Sequence, residues 1–418
     1  MRSRTAQLAA VTRRTASPVR RRLFVMLLVS TVTLATACTP GRRPAVEFDP
    51  LEATIADVHE AISGGAYSCR DIIQTYLDRI DALDKSTGLN AIIFTNPQAL
   101  SRALEVDEAL KAGADPGPLY CAPVLLKDNY DTGDMPTSGG SIALKDSIPP
   151  DDAFVVARLR EAGAIIIAKT NMAEWAFSPK QTLSSSYGRT ANAYDLDRVP
   201  AGSSGGTASG IAAGFGVIGM GSDTGNSIRG PSSHLALFGI RSTLGLVSRD
   251  GVIPLAFDRD VAGPMTRTVE DSARVLTVIA GRDKADTYTA LSPDRANVDY
   301  TDYLEADALR GTRIGVLRAL VDAPDADAQI IALFDRALAV VHHALTYLHA
   351  LAVRRLLPDQ VGVGIRHRAV GVVDQGRELT GGGAGTAAVE APLRPVLLAV
   401  TAGELTEIAV VIAGAGAL

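Results

Sequence analysis

Between Pro200 and Thr243 the chain reads PAGSSGGTASGIAAGFGVIGMGSDTGNSIRGPSSHLALFGIRST. Two serine-bearing glycine turns, 202–206 and 221–230, are joined by a short apolar connector without charge. Glycine lets a backbone pass through φ > 0 and lets another group approach closely. Turns of this kind also occur singly on protein surfaces. Two of them flanking one uncharged segment fit loops that meet at a pocket, each presenting a hydroxyl and free backbone N–H groups.

What surrounds this stretch points to an α/β fold. Leu51 to Ile62 has helical apolar spacing, ended by Gly64-Gly65. Ser68 precedes CRDIIQTYLDRIDAL with Asp71 three residues on, an approximate capping box. A third helix is expected over Pro97 to Ala112, and these helices form an N-terminal layer on a later sheet. Leu119 to Leu126 is a short, apolar, β-leaning run that ends at Lys127-Asp128. Strand ends are where α/β proteins place functional groups, although a surface lysine past a strand is the more common case. An amphipathic Ala153–Glu161 followed by Ala164–Ala168, and Thr207–Phe215 followed by Val217–Met220, repeat a helix-then-strand alternation. That alternation implies a central sheet.

At 418 residues, 47% apolar and 21% charged, the chain is long enough for one large domain or two ordinary ones. A net charge of -5 gives no nucleic-acid footprint. The N-terminus is a separate matter. Arg13, Arg14 and Arg20–Arg22 make a basic start, and the uncharged LFVMLLVSTVTLATA follows, too short to span a bilayer comfortably. That is the pattern of an export signal. Ala35-Thr36-Ala37 fits ordinary cleavage, whereas Leu34 to Cys38 fits a lipobox with Cys38 lipidated, and RRLFV fits a twin-arginine signal. With Cys38 so used, Cys69 and Cys121 remain and are expected as buried free thiols.

Two motifs are look-alikes. Gly214–Gly219 satisfies G-x-G-x-x-G but follows a helix and enters a strand, the reverse of a dinucleotide site. Gly202–Gly206 satisfies G-x-S-x-G with Ser204 central, but a polar turn rather than a strand precedes it. His234, His342, His343, His349 and His367 form no pattern with it, and no metal-ligand cluster is visible. With histidine set aside, a neutral lysine can activate a serine. Free lysine has a pKa of about 10.4, and burial can bring it near 7–8. Lys127, at the end of an apolar strand, is the candidate.

GSSGGTASGIAAG (202–214) followed by GSDTGNSIRGPSS (221–233) resembles the amidase signature family. APVLLKDN (122–129), GIRSTLGLVSRDGVIP (239–254) and DVAGPMTRTVEDSARVL (260–276) resemble its flanking blocks, and the resemblance runs from about Leu51 to Leu317. It implies the amidase-signature fold, a central mixed β-sheet flanked by helices on both faces. It also implies a Ser–cis-Ser–Lys triad: Ser227 as nucleophile, Ser203 as the bridging serine with a cis peptide bond, Lys127 as base. The backbone N–H groups of Thr224, Gly225, Asn226 and Ser227 would form the oxyanion hole. Ser204 would support the site, and Asp223 and Arg229 would brace the loop. No cofactor is implied.

Two features depart from the family pattern. Asn226 stands where Gly-Gly-Ser is usual, and asparagine tolerates the left-handed region better than other non-glycine residues. From Leu351 to Leu418 the chain has no Ser, Lys, Asn, Phe, Tyr, Trp, Met or Cys, so this tail reads as divergent or out of frame. The expected organisation is an export signal over 1–37, a linker over 38–50, the amidase signature domain over 51–345 and the replaced tail over 346–418. The expected activity is that of an exported amidase, periplasmic, secreted or anchored in the envelope through Cys38. Its partner would be a small-molecule amide and not a nucleic acid. The alternatives are a catalytically impaired amidase-like protein and an amidotransferase A-type subunit.

Overall fold

The computed structural model describes residues 48–292, 298–306 and, with gaps, 316–341. The expected export signal, the lipidation site Cys38, most of the linker and the tail lie outside the described residues. So do His342, His343, His349 and His367.

Three helices come first: α1 (Ile55–Ser63), α2 (Cys69–Leu83) and α3 (Ala99–Lys111), with strand β1 (Ile92–Thr95) between the second and third. Helix α1 starts four residues later than its apolar spacing predicts, because Thr54 and Asp57 form a full capping box there. The box expected at Ser68 and Asp71 is present and starts α2. The order continues through β2 (Pro123–Lys127), α4 (Phe154–Glu161), β3 (Ile165–Thr170), β4 (Leu183–Ser184) and β5 (Gly188–Arg189). Then come α5 (Gly205–Ala212), β6 (Ile218–Asp223), α6 (Arg229–His234), β7 (Phe238–Gly239), β8 (Val261–Thr266) and α7 (Val269–Ile279).

Six strands form one mixed sheet in the order β1-β3-β2-β6-β8-β7. The three central strands β3, β2 and β6 are parallel, and the outer ones are antiparallel to their neighbours. Strands β2, β3, β6 and β8 are buried along their whole length. Burial on both faces explains why the segments of β2, β3 and β6 read as continuous apolar runs rather than as alternating ones. Strand β2 ends on Lys127, one residue past Leu126, which pairs with Met220 of β6, so the parallel register brings the carboxyl ends of both strands to one edge.

Cys69 and Cys121 are not free thiols. They form a disulfide with Cα atoms 5.5 Å apart, across 52 residues of sequence. It joins the first residue of α2 to the turn before β2, where Cys121 has φ of +60°. That turn also corrects the strand boundary: residues 118–121 are turn, and the ladder begins at Pro123.

Candidate active site

Lys127 is the last residue of β2 and is fully buried. Its Nζ donates to Ser203 Oγ at 2.7 Å, to Ser222 Oγ at 2.8 Å and to the Ser222 carbonyl at 3.2 Å. Burial lowers its pKa to about 7, against the pull of Asp223 and Asp260, which favour the cation. This dry lysine, surrounded by hydroxyls and one carbonyl, has no carboxylate among the described residues in contact to hold its proton.

Ser203 sits in the turn before α5, and the Gly202–Ser203 peptide bond is cis. Gly202 could be nothing larger, since a Cβ would lie 2.4 Å from the Ser178 carbonyl oxygen and 2.5 Å from that of Gln181. Ser204 links the two glycine turns, donating its N–H to the Ser227 carbonyl at 3.2 Å and its hydroxyl to the Ser222 carbonyl at 3.3 Å. This contact is what brings the two loops to one place.

Ser227 lies between β6 and α6 and is 5% exposed. Its hydroxyl makes no hydrogen bond with the described residues, and the N–H groups of Gly225, Asn226 and Ser227 donate to no described acceptor. Thr224 hydrogen-bonds through its hydroxyl to Asp260. The loop is braced from beneath. Asp223 accepts from Arg229 Nε at 3.1 Å, from Arg241 Nη1 at 3.0 Å and from the Ile228 N–H at 3.0 Å. Burial works to raise the Asp223 carboxyl, but the Arg229 and Ile228 hydrogen bonds and the two guanidinium charges hold it below the usual carboxylate range.

Asn226 does not use the left-handed region: neither it nor Gly225 is among the positive-φ residues. Its amide instead lies over the start of α6, where a Cβ at Gly230 would come within 2.0 Å of Asn226 Nδ2. The departure from Gly-Gly-Ser is therefore absorbed by Gly230, not by backbone strain.

Beside Ser222 opens a cleft of about 330 Å³ that takes in Asn129, Thr224, Ile253, Phe257 and Asp260. Among the described residues no cluster of His, Cys, Asp or Glu could hold a metal ion, and no helix is long and apolar enough to cross a membrane.

The amidase family's sequence profile matches residues 71–348. That is well over half of the chain. The chain belongs to the amidase family. It is 41% identical over 271 residues to the A subunit of the glutamyl-tRNA(Gln) amidotransferase of Carboxydothermus hydrogenoformans, a match covering 65% of this chain and 55% of that one. The solved peptide amidase of Stenotrophomonas maltophilia superposes with a TM-score of 0.66 at 42% identity, covering 70% of this chain and 60% of that one. The A subunit of the glutamyl-tRNA(Gln) amidotransferase of Thermotoga maritima gives a TM-score of 0.62 at 30% identity, covering 72% and 61%. This amidase-family chain thus spans about half to three-fifths of the length of these relatives.

Sequence reasoning missed three contributors to this amidase-family site. Ser222 receives hydrogen bonds from both Lys127 and Asn129, the latter at 2.9 Å. Arg241 is the second guanidinium on Asp223. Lys169, also fully buried, donates to the Tyr130 carbonyl and to Thr137 Oγ1, both at 2.7 Å, and lies 3.5 Å from Asp128. It pins the segment that follows Lys127. Of these, Lys169 had a visible signal: a lysine closing the apolar run AIIIA.

Proposed function

We propose that this chain hydrolyses carboxylic amides through an acyl-enzyme on Ser227. The observation that carries the proposal is the 2.7 Å contact between a fully buried Lys127, with its pKa near 7, and Ser203. A neutral lysine has two N–H bonds and a lone pair. In that form Nζ keeps its hydrogen bonds to Ser222 and accepts the proton of the Ser203 hydroxyl. Ser203 then takes the Ser227 proton as Ser227 attacks the amide carbon. The relay run in reverse protonates the leaving nitrogen, and water resolves the acyl-enzyme. The unpartnered N–H groups of Gly225, Asn226 and Ser227, with that of Thr224, would take up the oxyanion, each donor contributing about 3–4 kcal/mol. The Ser203–Ser227 hydrogen bond is not formed in the free protein; such contacts often tighten only when substrate binds.

A second reading, an amidotransferase A-type subunit that releases ammonia for a partner, is favoured by the curated relatives, which are subunits of that kind. Support for the first reading, a stand-alone and exported amidase, comes from the peptide amidase likeness and from the Cys69–Cys121 disulfide, a bond suited to an oxidising compartment. Purified full-length chain tests both. A fluorophosphonate should label the parent and not Ser227→Ala, whereas an inert amidase-like chain would label in neither. Amide hydrolysis without any added protein supports the stand-alone enzyme. Glutamine-dependent activity that requires a co-purified partner supports the other.

A further inference from the structure

The cleft beside Ser222 has walls whose chemistry narrows what it can hold. We propose that it takes neutral carboxamides with an aromatic or branched aliphatic acyl group and rejects amides that carry a free carboxylate. This rests on the reading that the Lys127–Ser203–Ser227 site hydrolyses amides.

One wall is a run of apolar residues, Val252 to Leu255, followed by Phe257. Phe257 is 71% exposed and Leu255 37% exposed. Large apolar side chains grouped at a cleft mouth mark a place where something apolar binds. Ala176 also lines the cleft. Its neighbour Trp175 and the lining residue Ile253 both crowd Gly139, where a Cβ would stand 3.5 Å from the indole and 3.4 Å from Ile253 Cδ1. Trp175 and Ala176 have φ of +52° and +59°. Two consecutive non-glycine residues in the left-handed region are costly and persist only when the surroundings hold them there. The holding contacts are Trp175 N–H to the Gly139 carbonyl at 2.8 Å and Ala173 N–H to the Ser203 carbonyl at 3.0 Å. The strained turn is therefore tied to Ser203, and its second residue, Ala176, lines the cleft.

Charge points the same way. Among the described lining residues Arg249 is the single cation, and Asp286 engages it through Nε and Nη2, both at 2.8 Å. Its guanidinium also covers the Tyr288 ring at 4.5 Å. Asp260 is occupied by Thr224 and by the N–H groups of Leu255 and Ala256. Asp250 adds a third carboxylate at the exposed rim. Three carboxylates against one committed guanidinium leave the lining net negative, so a substrate carboxylate would lose its water and gain no partner. Asn129, which also lines the cleft, has a buried Oδ1 acceptor without a donor among the described residues. An N–H of a bound carboxamide would satisfy it in every amide alike, so the discrimination rests on the charge of the lining.

The test is kcat/KM of the full-length chain on phenylacetamide, isovaleramide, acetamide, glutamine and succinamate. The first two should exceed glutamine and succinamate by about 100-fold, the scale of discrimination a mismatched pocket delivers. Phe257→Ala, and separately Leu255→Ala, should cut the phenylacetamide-to-acetamide ratio about tenfold; thermal melts check that the variants fold. Asp250→Lys should raise succinamate relative to isovaleramide. Glutamine or succinamate cleaved as well as phenylacetamide overturns the inference and leaves the hydrolase standing. Unchanged ratios in both apolar variants do the same. A parent that cleaves none of the five defeats the hydrolase reading, and this inference with it.

Discussion

Lys127 has no accessible surface, and it is this burial that disfavours its cation, while its contacts are two serine hydroxyls and a carbonyl. A fall of about three units from the ordinary value of about 10.4 corresponds to roughly 4 kcal/mol against the charged form. In the proposed mechanism the neutral amine is the base, so kcat/KM should rise with pH and level off above an acid limb near 7. A pH profile with no limb between 6 and 8 would count against lysine as the base. Lys127→Arg should not rescue Lys127→Ala, because a guanidinium does not deprotonate; amide turnover at pH 8 is the check. At the same scale, Asp223→Asn should loosen the loop that carries Ser227, because Arg229 and Arg241 would lose their shared anion. A fall in kcat of about tenfold or more is expected, the scale at which small displacements of reacting groups are felt, and single-turnover kinetics with an activated amide would show it.

At the level of elements, α5 and β6 carry the two glycine turns, and their packing decides whether the turns meet. Gly206 faces Asn171 so closely that a Cβ would lie 2.2 Å from its carbonyl oxygen and 2.6 Å from its nitrogen. Gly206→Ala should displace α5 from β3 and cost about 3 kcal/mol or more, read as a lowered urea midpoint. The disulfide acts between elements too. By loop entropy a closure of this length stabilises by about 4 kcal/mol, so Cys69→Ala should lower the melting temperature and abolish its sensitivity to reductant. The pairing was illegible in the sequence because Cys69 and Cys121 meet only after α2 packs beside the entry to β2. By contrast the capping box at Ser68 is a local signal and was readable from four residues.

For the whole molecule, Lys127 makes stability depend on pH in a defined direction. Its folded pKa lies near 7 and its unfolded value near about 10.4. Between these the unfolded chain binds the extra proton, so stability from this group rises with pH across that window and is lowest below 7. Lys127→Met should therefore gain most over the parent at pH 6 and lose that advantage by about pH 10. Denaturant melts at the two pH values measure it, and a gap that grows with pH would contradict it. The likeness to relatives is likewise a property of the whole chain: the matched part holds the mixed sheet and the serine–lysine site but only 55% of the curated relative's length.

Chemistry-bearing types at short range were readable without coordinates: the paired glycine–serine turns, a lysine ending an apolar run, and the helix caps. Each depends on neighbours a few residues away, where backbone conformation and side-chain chemistry are set locally. What needed the tertiary structure were relations across long stretches of chain. The 2.7 Å contact between Lys127 and Ser203 joins residues 76 positions apart. Ser222 as second partner of the lysine, Arg241 on Asp223, and Gly230 making room for Asn226 were decided by packing. Such contacts depend on which side of the sheet an element lands, and no local propensity encodes that.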